Sequence, residues 1–388
     1  MIFANAEKVI DYSTYIKQIN AIKFDYVMAK EGLKNFSYYD AYNTNTKKQF
    51  MDYLAKYKNL MFDVVAKTLK MFSSFLKEYK YMVVVNGSFA RNSYREFSDI
   101  DVSFVLDKKK TKNYPVFEEL FYHALTQILS VSRERIHSVF NKFASYDTKK
   151  QYDNTVVLEW SDVNKQICYM VKENSGYELY LSLNTERSYN SLLQSISESL
   201  SRDVISQKAY SFKVLFNNTD YNLENDIMAI EFRNRSNFSL PKYDITLSNL
   251  KRAYISKDLK TIIKDLFLNE LFEFSSYIRH YLMRRNNYRK LLNLDEVFNS
   301  EVYGQVIGKN QKKLKDNYHE YLFYLTRIEM CLKEIDIELS SHDSTMIDFN
   351  KLLSFYQMKF KTKENVLNRM FQIIAENREM YKTTFASL

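Results

Sequence analysis

The sequence is poor in residues that bend or cross-link a chain: its 388 residues include 5 glycines, 2 prolines and 2 cysteines. Average usage is about 7% glycine and 5% proline. The chain therefore favours helices with few sharp turns, and each glycine it keeps is more informative than usual. Cys168 and Cys331 stand far apart, without a CxxC pair or a Cys/His cluster, which argues against a disulfide framework and a zinc module. The five histidines, His123, His137, His280, His319 and His342, show no ligand spacing and read as structural or surface residues. No apolar run reaches the roughly 20 residues of a membrane span. Met1 to Tyr12 is interrupted by Glu7, Lys8 and Asp11 and lacks the regions of a secretory signal. A cytoplasmic protein in a reducing compartment, with no membrane partner, is expected. No Gly-x-Ser-x-Gly, Walker or kinase pattern occurs, and there is no repeat or low-complexity tract.

Hydrophobic residues make up 46% of the chain and charged residues 27%, a globular composition rich in Tyr (32) and Phe (28). The formal net charge of +9 implies attraction to anions such as nucleotides, nucleic acid or an acidic partner.

Apolar residues between 14 and 80 recur with helical spacing, clearest in Phe50, Tyr53, Leu54, Tyr57, Leu60, Met61, Val64, Val65 and Leu69. The rhythm changes at Tyr81 to Val85, a short β-branched run ended by Asn86 and Gly87, and again at Ile100 to Leu106, which alternates as a strand. About one turn of helix is expected between them. Residues 115 to 131 open with Pro115 and form an amphipathic helix. Further strands are expected at 136–143, at Thr155 to Trp160, at Gln166 to Val171 and at Tyr177 to Leu183, the last two joined through Glu173, Asn174, Ser175 and Gly176. A helix from Arg187 to Ser199 and a strand from Tyr210 to Phe216 follow, and the rare Pro241 marks a boundary near 240. From 245 onward the apolar period is helical. Three regions result: an N-terminal helical region at 1–80, a central domain of mixed strands and helices at 81–240 and a C-terminal helical domain at 241–388.

The segment Val85, Asn86, Gly87, Ser88, Phe89, Ala90, Arg91, then Ser98, Asp99, Ile100, Asp101, Val102, carries the chemistry. A strand ending in Gly-Ser and opening a helix presents backbone amides and a hydroxyl with nothing in the way, which suits nucleotide phosphates. Asp99 and Asp101, at i and i+2 on the next strand, share a face about 7 Å apart. Two such carboxylates converge on a hard divalent ion, Mg²⁺ or its substitute Mn²⁺, of the kind that clamps attacking and leaving oxygens in phosphoryl transfer.

This arrangement resembles the nucleotidyltransferase superfamily that includes DNA polymerase β, whose signature is a hydrophobic strand, Gly-Gly or Gly-Ser, a short helix and Asp-x-Asp on a neighbouring strand. The Ala90-Arg91 form with Ser98-Asp99-Ile100-Asp101 is similar to the minimal, aminoglycoside-type, oligonucleotide-synthase and protein-modifying branches. Poly(A) polymerases usually carry a second glycine where Asn92 or Ser93 stands. The resemblance covers roughly residues 80 to 220. It implies an α+β fold, with a mixed nucleotidyltransferase sheet and helices between the two helical regions. It also implies a third carboxylate on a later strand, for which Glu178 in Tyr177 to Ser182 is the best match and Glu159 the runner-up; the usual residue is Asp. Glu178 would complete metal binding and act as general base for the acceptor hydroxyl. The strand at 212–216, ending in Asn217 and Asn218, also matches family members in order.

The expected activity is transfer of a nucleoside monophosphate from an NTP, ATP or UTP, to a hydroxyl of a protein, small molecule or nucleotide, with release of pyrophosphate. The alternatives are an RNA 3′-end transferase, or a catalytically inactive nucleotide- or RNA-binding module of the same fold. Gly87, Ser88 and Arg91 are the nucleotide-binding candidates, and Asp99, Asp101 and Glu178 the catalytic and metal-binding ones. Arg91 lies three residues beyond Ser88, within reach of a phosphate or simply at the surface. Further on, Arg279, His280, Arg284, Arg285, Arg289 and Lys290, interleaved with Tyr277, Tyr281 and Tyr288, form either a solvated helix face or a cradle for triphosphate or RNA. This helical stretch is similar to part of the PII-protein uridylyltransferases. Lys108, Lys109 and Lys110 read as a charged loop.

Overall fold

Three consecutive valines in Tyr81–Asn86 favour extended backbone, and they form strand β2 of the computed structural model. The structure describes residues 2–33, 36–77, 79, 81–90, 93–96, 98, 100–106, 114–131, 136–137, 154–159, 169–173, 212–218, 308–339 and 349–386. Helices predominate among them, and those on either side of the central strands are compatible with the helical flanks read from the sequence. None of the described helices is long and apolar enough to cross a membrane.

The chain divides into two compact units. The first comprises Met1–Lys34, Lys56–Tyr94 and Ser98–Asn237, and the second Asn35–Ala55, Arg95–Phe97 and Phe238–Leu388.

In the first unit, Ile2–Asn5 forms β1 and Tyr12–Gly32 forms helix α1, which Asp11 caps by accepting from the Thr14 amide at 2.9 Å. Helix α2, Thr44–Met71, contributes its residues from Lys56 onward to this unit, and the short α3 covers Ser73–Leu76. Strand β2 leads straight into α4, Gly87–Ala90, and β3 covers Ile100–Leu106. Helix α5, Tyr114–Leu129, begins with Pro115 in its first turn, where a missing amide costs nothing. Four short strands follow: β4 (Ile136–His137), β5 (Asn154–Glu159), β6 (Tyr169–Glu173) and β7 (Phe212–Asn217).

Among the described residues these strands make two sheets, ordered β4-β3-β2-β7 and β1-β5-β6. In the first, β2 is antiparallel to both β3 and β7 while β3 and β4 run parallel, so the sheet is mixed. Asn218, just past β7, accepts from the Tyr81 amide at 2.6 Å and donates to the Tyr79 carbonyl at 3.2 Å, securing the start of β2. Helix α5 covers this core with buried Phe117, Leu120, Phe121 and Leu125, and its Tyr122 hydroxyl donates to the Val102 carbonyl of β3 at 3.2 Å. Phe72 meets Phe117 edge-on at 5.2 Å and Tyr15 of α1 at 6.3 Å.

Two boundaries differ from the sequence reading. No element was expected at Ile2–Asn5, which forms a strand because β5 offers it a parallel edge. Strand β6 continues to Glu173, where a turn was expected, because Glu173 pairs with Asn154 of β5. The expected strand at 177–183, the helix at 187–199, the boundary near Pro241 and the basic segment from Tyr277 to Lys290 lie outside the described residues. So do Lys108, Lys109, Lys110, Cys168, His280 and His342.

Among the described residues the second unit has three helices beyond α2: α6 (Gln311–Leu339), α7 (Phe349–Lys359) and α8 (Val366–Ala386). Gly308, at φ 59°, adopts the left-handed turn that precedes α6 and that few other residues tolerate. Buried Leu314, Leu322, Phe323 and Ile328 of α6 pack with Tyr356, Leu367 and Met370, and with Phe50 and Leu54 from the first half of α2. At the start of α2, Asn43 caps by accepting from the Thr46 amide at 2.9 Å. Arg369 bonds Glu320 in two-pronged fashion, at 2.7 and 2.8 Å, tying α8 to α6.

Candidate active site

The site grows from the turn at the end of β2. The strand stops at Asn86, Gly87 opens α4 without a connecting loop, and Ser88 follows half-buried. Phe89 anchors this turn: it is buried, with its ring 4.9 Å from Phe62 of α2 and 5.0 Å from Tyr94. Tyr94 in turn stacks on Tyr57 at 5.7 Å. Aromatic burial of this kind fixes the short helix more firmly than its own few hydrogen bonds would.

The register of β3 on β2 pairs Val85 with Val102, and the two strands run in opposite directions. The end of β2 and the beginning of β3 therefore lie side by side, at the usual strand spacing of about 4.8 Å. Gly87 and Ser88 follow the last residue of β2, and Asp101 is the second residue of β3, so the two halves of the motif meet at one end of the sheet. Asp101 stands between Ile100 and Val102, both buried, and pairs with His137 of β4. Glu159, the runner-up for the third carboxylate, ends β5 in register with Asn5 of β1. Asp99, Arg91 and Glu178 lie outside the described residues.

Ser93, Tyr94, Arg95 and Ser98 are all buried. Arg95 was not singled out in the sequence, yet its guanidinium grips Glu329 of α6 with two parallel bonds, Nε to Oε2 at 2.8 Å and Nη2 to Oε1 at 2.7 Å. Burial opposes the charge on Arg95, but the adjacent Glu329 carboxylate holds its pKa above the ordinary arginine value.

Carboxylates such as Asp99, Asp101 and a third acidic residue have the chemistry that a hard divalent cation takes, and the beginning of β3 brings the backbone of Asp101 to the same end of the sheet as Gly87 and Ser88. Among the described residues no group of three or more His, Cys, Asp or Glu gathers as a metal site.

The described site is thus a strand, a Gly-Ser turn into a short helix and an aspartate on the antiparallel neighbour. Residues 65–158 match the family model of the nucleotidyltransferase domain, of the polymerase β-like superfamily. Domains of this kind take a nucleoside triphosphate and transfer its nucleoside monophosphate. A search of curated proteins finds no match to this chain.

Proposed function

We propose that the chain is an α+β nucleotidyltransferase, with its catalytic domain at 81–240, that moves a nucleoside monophosphate from an NTP to an acceptor hydroxyl and releases pyrophosphate. The observation that carries this reading is the antiparallel β2–β3 pair, which brings Gly87 and Ser88 to the same end of the sheet as Asp101. In this reading the Gly87 amide and the Ser88 amide and hydroxyl hold the triphosphate, and Arg91 adds a positive charge. Asp99 and Asp101 hold Mg²⁺, with Glu178 or Glu159 completing the set. Held there, the ion would supply positive charge to offset that developing on the phosphoryl oxygens. The third carboxylate takes the proton of the acceptor hydroxyl. The acceptor is a protein, small molecule or nucleotide.

The test is incubation with each of the four α-labelled NTPs, Mg²⁺ and cell extract, alongside Asp99→Ala/Asp101→Ala as a control. Label that needs both aspartates is expected, and its sensitivity to protease or nuclease names the acceptor, an RNA 3′ end included. Nucleotide binding with no transfer from any NTP would overturn the enzymatic reading in favour of a non-catalytic nucleotide-binding module.

A further inference from the structure

Helix α1 carries apolar side chains on two opposite faces. Tyr15, Ile19, Ile22 and Tyr26 are buried and form the inward stripe that the helical period requires. At about 100° per residue, the stripe diametrically opposite runs through Lys17, Ala21, Phe24, Met28 and Glu31, all exposed. A surface helix ordinarily fills that stripe with polar residues. Here its middle is Phe24, 66% exposed, and Met28, 57% exposed, with Val27 at 44% beside them. Large apolar side chains crowded into one turn make a patch, whereas single ones scattered over a surface do not.

The order of residues along the stripe says what covers it. Their spacing, alternately four and three residues, is that of a seam between paired helices. Phe24 is the midpoint, with Lys17 seven residues before it and Glu31 seven after, so the two charges stand about 10.5 Å along the axis to either side. The stripe is therefore complementary to a second copy of itself running antiparallel. A two-fold axis at Phe24 sets Phe24 on Phe24, the small Ala21 opposite the large Met28, and Lys17 of each copy beside Glu31 of the other. Parallel pairing sets lysine on lysine and glutamate on glutamate, which opposes it. We propose that this face of α1 is the contact through which two copies of the chain form an antiparallel, two-fold dimer. The proposal draws nothing from the transferase reading.

The test is sedimentation velocity of the full-length protein at low ionic strength, over about 1 to 100 μM, where a small interface associates reversibly. A monomer–dimer equilibrium is expected. Phe24→Glu places two carboxylates at the axis and should weaken association by about tenfold or more, with the melting curve unchanged because the position is exposed. Should that variant be unstable, Phe24→Ser, which removes the ring and adds no charge, is read in the same way. Lys17→Glu alone and Glu31→Lys alone should each weaken association by about three- to tenfold, because like charges then meet at both ends of the seam. Mixing these two variants should restore it, since each supplies the charge that the other lacks. Wild-type protein that stays monomeric throughout overturns the proposal and assigns the face to a different protein. A dimer of unchanged affinity in the Phe24 variant overturns it as well, by placing the contact on another surface. So does a failure of mixing to rescue the two charge variants, which would exclude antiparallel pairing.

Discussion

The hydroxyl of Tyr15 lies 2.6 Å from Nδ1 of His123 and donates to the Leu120 carbonyl at 3.0 Å, joining α1 to α5 across a separation of more than 100 residues. Tyr15→Phe leaves the ring packing and removes both bonds. A loss of about 1–3 kcal/mol is expected from urea unfolding, the cost of leaving buried partners unsatisfied. A change within experimental error would show that the junction rests on apolar packing alone.

Histidine burial gives stability a pH dependence. Burial, with Lys47 and Lys315 nearby, pushes the His319 pKa down to about 3, and burial lowers that of His123 as well. The folded state keeps the His319 ring neutral in this range, while the unfolded chain takes up protons below its pKa of about 6.5. The ring's contribution is therefore complete above pH 6.5 and declines as the pH falls toward the folded value. For His319 the loss by pH 5 is about 2 kcal/mol. Stability curves between pH 7.5 and 5 should show this slope, and His319→Gln should flatten it. An equal slope in that variant would assign the effect elsewhere.

Arg327 is held in an aromatic and carbonyl cage within the second unit. Its guanidinium lies 4.3 Å from the Phe323 ring and 4.5 Å from the Phe360 ring, and Nε donates to the Tyr38 carbonyl at 2.6 Å. Further bonds go to the Asp40 carbonyl and, at 3.2 Å, to the Tyr356 hydroxyl. Lysine keeps the charge and loses both the flat stacking surface and the spread of donors. Arg327→Lys should destabilise by about 2–4 kcal/mol in denaturant unfolding; less than about 0.5 kcal/mol would show that the cage is dispensable.

Cys331 sits buried in α6, and burial pushes its thiol up to about 12. Since the thiolate is the reactive form, iodoacetamide at pH 8 should leave Cys331 unmodified in native protein and alkylate it in guanidinium. Peptide mass spectrometry distinguishes the two states. Rapid modification without denaturant would contradict the burial.

Local chemistry made part of this molecule legible in its sequence. Strand β3 was read at its observed bounds because Ile100 to Leu106 alternates cleanly, and the end of β2 was marked by Asn86 and Gly87. The Gly-Ser turn and Asp101 were visible for the same reason: they form a short local pattern. Strand β1 was not, because four residues from Ile2 to Asn5 carry no period and are extended only through pairing with β5, some 150 residues away. Arg95 escaped notice because a buried charge looks like any surface charge until its partner is known, and Glu329 lies 234 residues later. Arg91, four residues nearer the glycine in sequence, was the candidate instead.

The second unit takes Phe50 and Leu54 from α2 and residues 95–97 from the middle of the motif, while the three described helices that complete its core lie beyond residue 310. On the ribosome these early pieces must wait for nearly the whole chain, with aromatic surface uncovered in the interval. An expression fragment beginning at residue 238 would lack part of its own core and should be insoluble. Coexpression with the N-terminal portion is the natural remedy, and splitting the gene at that boundary is a poor route to a folded half.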